Sequence, residues 1–94
     1  MAFFEPLPTD RAELIKRIKK VSFTPTRFRR GYDERAVDDF LDAVIASFSH
    51  GRVPLPPAYI RDQVFAERRF AGGYSVEQVD DFRRVLADAV QQLQ

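Results

Sequence analysis

Apolar positions along the chain fall into two long stripes at helical spacing. In the first, Val37, Phe40, Leu41, Val44, Ile45 and Phe48 recur at intervals of 3, 1, 3, 1 and 3. In the second, Val76, Val79, Phe82, Leu86, Val90 and Leu93 do the same work, widened by Val85 and Ala89. Apolar side chains returning every three or four residues line one face of a helix and leave the other to water. Amphipathic helices are therefore predicted over 34–49 and 75–93. Shorter stripes precede them: Leu14, Ile15, Ile18 and Val21, then Ile60 and Val64. Thr9 or Asp10 can cap the first short helix, with Glu13 in capping-box spacing from Asp10, and Pro57 suits the first position of the second. Asp33 caps one long helix, and Ser75 with Gln78 caps the other. Loops are predicted over 24–32 and 66–74, with Gly31 and Gly73 supplying a positive φ before each long helix. His50 and Gly51 end the first long helix. No strand is predicted. The expected fold is all-α: two tandem helix–loop–helix repeats packed as a pseudo-dimeric small helical bundle.

The repeat is explicit in the residues. Residues 23–40 read FTPTRFRRGYDERAVDDF and residues 65–82 read FAERRFAGGYSVEQVDDF. At a constant offset of 42, nine of these 18 positions are identical, including three Phe pairs, Gly31/Gly73 and Tyr32/Tyr74. The register extends to Ile18/Ile60 and Val44/Leu86. The chain is read as one domain, 1–94, with unit one at 10–50, a proline-stiffened linker at 51–57 (GRVPLPP) and unit two at 58–94. Units this short rarely bury a sufficient core alone, so the two are expected to pack together. A linker of about nine residues spans up to roughly 30 Å, enough to bring the second long helix back parallel to the first. The alternative is that the long helices seek partners in a second chain, giving a homodimer. Their pairing residues are Val37, Phe40, Leu41, Val44 and Phe48 in unit one and Val79, Phe82, Leu86 and Val90 in unit two.

Composition narrows the function. Apolar residues make up 45% and charged residues 31%, with a formal net charge of +1, as in a globular chain rather than a disordered one. No apolar run reaches the roughly 20 residues of a spanning helix, and no secretory signal is read at the N-terminus. There is no cysteine and one histidine, His50, so thiol chemistry and the usual zinc sets are excluded. No phosphate-binding glycine motif is present. Neither an enzymatic activity nor a cofactor is expected. Asp38-Asp39 and Asp80-Asp81 are read as early-helix acids rather than as a metal or acid–base pair. Tyr32 and Tyr74 are read as packing residues at the helix starts.

Charge is distributed unevenly. Residues 11–31 hold eight basic side chains against Glu13, whereas 33–48 hold five acids against Arg35. The basic stretch suits an anionic surface, or alternatively meets the acidic helix. Nucleic acid is the least favoured partner, because helix-turn-helix proteins read DNA with the second helix, and in unit one that helix is acidic.

The pattern F-x(4)-F-x(2)-GY-x(4)-VDDF resembles the DivIVA-type N-terminal domain of bacterial cell-division and cell-pole proteins, closest to the short repeats of actinobacterial members. In unit one the resemblance rests on Phe23, the tip Arg29-Arg30-Gly31-Tyr32-Asp33, and Val37-Asp38-Asp39-Phe40-Leu41-Asp42. In unit two Ser75 and Arg83-Arg84 depart from it. The resemblance implies a non-catalytic, all-helical scaffold at the cytoplasmic face of the cell membrane, with division or cell-wall-growth proteins as partners. It implies that each loop exposes an aromatic residue beside basic ones to engage anionic lipid. The residues so assigned are Phe28, Arg29 and Arg30 in unit one, Arg68, Arg69 and Phe70 in unit two, with Lys16, Lys19 and Lys20 alongside. Phe28 and Phe70 have a second reading, as a matched pair of core residues. Two departures shape the expectation. No long coiled-coil tail follows the second helix before Gln94, so tail-driven filaments are not expected. Gly72 replaces the basic residue before Gly-Tyr, so lipid contact is expected chiefly from unit one. The alternative function is a soluble protein–protein interaction module that has lost lipid binding along with the tail.

Overall fold

Eight short elements alternate along the chain in the computed structural model, which describes residues 4–27, 29–49, 55–69 and 72–93. Helix α1 (Arg11–Lys20) leads to strands β1 (Pro25–Thr26) and β2 (Gly31–Asp33), then helix α2 (Glu34–Ser49). Unit two repeats the order: α3 (Pro57–Asp62), β3 (Glu67–Arg68), β4 (Gly73–Tyr74) and α4 (Val76–Leu93). The four helices lie where the stripes predict them. Asp10 Oδ2 accepts from Glu13 N–H at 3.1 Å, Asp33 Oδ2 from Ala36 N–H at 3.1 Å, and Ser75 Oγ from Gln78 N–H at 3.3 Å. Each cap satisfies an amide that a helix start leaves without an internal partner.

The all-α expectation is wrong. The segments read as loops form a four-stranded antiparallel sheet in the order β1-β4-β2-β3. Neither unit pairs its own two strands. Pro25 lies opposite Tyr74 and Thr26 opposite Gly73, whereas Gly31 lies opposite Arg68 and Tyr32 opposite Glu67. At the centre Tyr32 faces Tyr74, and Asp33 faces Gly73. Adding 42 to every unit-one number and subtracting 42 from every unit-two number converts the first pairing into the second. The two units are therefore related by a pseudo-twofold through the Tyr32–Tyr74 pair. Between neighbouring antiparallel strands such an axis runs along the sheet normal. Two further bonds obey it: Asp33 N–H donates to Ala66 O at 2.8 Å, and Ser75 N–H donates to Thr24 O at 2.9 Å.

The glycines serve this crossing and not a left-handed turn. Gly31 and Gly73 have ordinary φ; the positive φ among the described glycines is at Gly72, +82°. A Cβ on Gly31 would meet Gly73 C at 2.9 Å, and one on Gly73 would meet Gly31 Cα at 2.9 Å. Both are glycine because the two backbones meet face to face at the axis.

One apolar cluster draws on both units, including Leu14, Ile18, Val37, Phe40, Val44, Ile60, Val79, Phe82, Leu86 and Val90. Phe23, which follows α1, packs on Phe82 of α4 (5.8 Å between ring centres). Phe65, which follows α3, packs on Phe40 of α2 (5.3 Å). The parallel seam expected between the long helices is not the main one: α1 lies on α2 and α3 on α4. Short strands, crossed aromatic rings and shared burial join the units instead. Val64, read as a stripe residue, is 87% exposed, because α3 ends at Asp62 and the chain is already extended there. An unforeseen strap adds to unit two. Phe4 packs edge-on against Phe82 (5.1 Å) and Phe23 (6.0 Å), and its N–H donates to Asp81 Oδ2 at 2.9 Å.

Candidate interaction surface

The sheet fixes where the basic residues go. Strand β4 lies between β1 and β2, and β2 lies between β4 and β3, so each unit joins its own two strands by a crossover, after Arg27 in unit one and after Arg69 in unit two. An axis along the sheet normal keeps equivalent segments on one face. The equivalent Arg27 and Arg69 therefore start the two crossovers on the same face of the sheet.

Their arginines differ in how they are held. Arg30 Nη2 reaches Glu67 Oε1 at 2.8 Å, and Arg68 Nε reaches Asp33 Oδ1 at 2.8 Å, each bridging the two units. Arg29 stands 3.9 Å from Glu77. Arg27 and Arg69 are exposed and make no hydrogen bond or ion pair with the described residues. Sequence reasoning assigned Arg30 and Arg68 to lipid contact; in the structure both are exposed and each bridges the two units. It passed over Arg27, which lines an open groove of about 820 Å³ between β1 and the start of α4 with Arg29, Glu77 and Gln78. Lys16, Lys19 and Lys20 are exposed on α1, with Lys16 paired to Glu13 at 3.4 Å. Phe28 and Phe70 lie outside the described residues. The helix-pairing residues are all buried in the chain's own core.

Polar groups at the axis hold the arrangement. The Tyr32 hydroxyl donates to Asp80 Oδ1 at 2.8 Å and the Tyr74 hydroxyl to Asp38 Oδ1 at 3.0 Å, each tyrosine reaching into the other unit's long helix. Burial, then the carboxylate that accepts the phenolic proton, pushes both hydroxyls up to about 12. This explains the paired VDDF acids: their first aspartate accepts across the axis. Gln78, predicted to close a capping box on its own helix, instead bonds Thr24, accepting from its N–H at 2.7 Å and donating to its hydroxyl at 3.0 Å. The guanidinium of Arg68 beside Asp33, with the Ala36 N–H, lowers that carboxyl's pKa.

Among the described residues no group of three or more His, Cys, Asp or Glu side chains is placed to hold a metal ion. Among them, too, no helix is long and apolar enough to cross a membrane. No protein-family model matches the chain, and neither does any curated protein or solved structure.

Proposed function

We propose that the chain is a non-enzymatic adaptor of the DivIVA kind. In this reading it docks on the anionic inner face of the cell membrane through crossovers 27–30 and 69–72 and gathers proteins of bacterial division or polar growth. The observation that carries the reading is the interleaved sheet, whose pseudo-twofold puts the equivalent Arg27 and Arg69 on one face. A single crossover binds weakly: a basic side chain near an anionic leaflet contributes about 1 kcal/mol. Two on one face act together, because once the first engages, the second is already at high effective concentration. Arg27 and Arg69 are the best placed, followed by Arg29, whose carboxylate partner Glu77 is 3.9 Å away, whereas Arg30 and Arg68 hold theirs at 2.8 Å. The motif assigns Phe28 to the acyl boundary.

Vesicle co-sedimentation tests the proposal. The chain should pellet with vesicles containing anionic lipid at low salt and remain in solution with neutral ones. Arg27→Ala/Arg29→Ala should weaken binding about 30-fold, two contacts of about 1 kcal/mol each. Phe28→Ala should weaken it without lowering the melting temperature. Failure of the unmodified chain to pellet at low salt, or a variant that pellets unchanged, rules the membrane reading out.

A further inference from the structure

The pseudo-twofold makes each unit a template for the other, and at one place the two differ. In unit two, Arg83 of α4 lies across the end of α3. Its guanidinium donates to the carbonyls of Arg61 (3.3 Å) and Gln63, and pairs with Asp80 at 2.6 Å. The same group lies over the rings of Tyr32 (5.8 Å) and Phe65 (5.1 Å). Two backbone carbonyls, a carboxylate and two aromatic faces hold the guanidinium, and its buried Nε has no hydrogen-bond partner.

Subtracting 42 gives the counterpart in unit one. The carbonyls become those of Lys19 and Val21, the carboxylate becomes Asp38, and the rings become Tyr74 and Phe23. Arg83 itself becomes Leu41, whose side chain is too short and apolar to reach them. An open groove of about 330 Å³ lies between α1 and α2, lined by Ile18, Lys19, Val21, Asp38, Leu41, Asp42 and Ile45; it takes in the two carbonyl residues and the carboxylate of the counterpart but not its rings. Its volume is roughly ten times that of one water in the liquid. Among the described residues no donor reaches the Lys19 or Val21 carbonyl. Asp38 accepts the Tyr74 hydroxyl, as Asp80 accepts that of Tyr32. The next position reverses charge as well: Arg84 in unit two corresponds to Asp42 in unit one, which adds a second carboxylate to the groove. Lys19 is the groove's one basic side chain, and it pairs with neither aspartate.

We propose that this groove receives an arginine side chain presented by a partner polypeptide. The geometry of the occupied twin specifies the guest. A planar fork spans two carbonyls and a carboxylate at once, which a lysine ammonium does not reproduce. The proposal is independent of lipid contact, since the groove lies on the α1–α2 seam.

The test titrates the isotope-labelled full chain with Nα-acetyl-arginine-N-methylamide and separately with the capped lysine, following backbone amides by NMR. Arginine should shift the amides of Lys19, Val21, Asp38, Leu41 and Asp42 together, saturating at millimolar concentration, with lysine about tenfold weaker. Leu41→Arg, which supplies the guanidinium from within, should abolish the response. Asp42→Asn, at an exposed position, should weaken it several-fold and decides the matter if Leu41→Arg does not fold. An absent response, an equal response to lysine, or one that survives both substitutions overturns the proposal. Self-association lost in Asp42→Asn would assign the groove to a second copy of this chain and also overturn it.

Discussion

At Gly31 and Gly73 the missing side chain is the structural feature. Each faces the other's backbone at a distance that no Cβ tolerates, and around Gly73 the neighbouring atoms are all main chain, with no rotamer to escape into. Gly73→Ala is therefore expected to lower stability by about 1–3 kcal/mol, the usual cost of overpacking, read as a shift in urea midpoint. A variant within error of the parent would show that the strands do not meet there. The tyrosines give a pH signature. Their native pKa, about 12, lies above the ordinary 10.0. The folded state thus keeps a proton that the unfolded chain releases. The stability this supplies is complete below pH 10 and is lost as pH rises from 10 toward 12. Tyr32→Phe should flatten that decline in urea midpoints measured across the range; a decline as steep as the parent's would contradict the assignment. The pairing of these tyrosines was half legible. Their identity at an offset of 42 marked them as structural, but the acceptor on the opposite unit's helix was not readable, because nothing in the local sequence points from residue 32 to residue 80.

Among the elements, helices were legible and strands were not, for a physical reason. A helix makes its hydrogen bonds within about four residues, so stripe and cap appear together in one window. Strands of two or three residues show no alternation, and their partners here lie in the other unit. The segments around Pro25, Arg30 and Gly73 carry loop composition because they sit at crossings, where bulk is excluded and charge bridges the units. The same logic misplaced Val64: an apolar residue at helical spacing was assigned to a stripe, but α3 ends two residues earlier and the position faces solvent. The linker prolines gave Pro57 its role correctly, as the first residue of α3.

For the molecule as a whole, duplication explains both its coherence and its asymmetry. Shared positions build the sheet and the core, whereas diverged positions set the surface: Thr26 and Ser75 are buried where Arg68 and Asp33 form an exposed ion pair. Leu41-Asp42 opens a groove that Arg83-Arg84 closes. The candidate surface was legible as a charge run but not as a geometry, because which arginines are tied and which are free depends on contacts between the units. Both the two-crossover face and the guanidinium groove rest on the interleaved pairing of the strands. Scalar couplings across hydrogen bonds measure that pairing directly, between Asp33 N and the Ala66 carbonyl carbon and between Ser75 N and the Thr24 carbonyl carbon. Both couplings should be present. Their absence, or couplings that instead join β1 to β2 within unit one, would contradict the account.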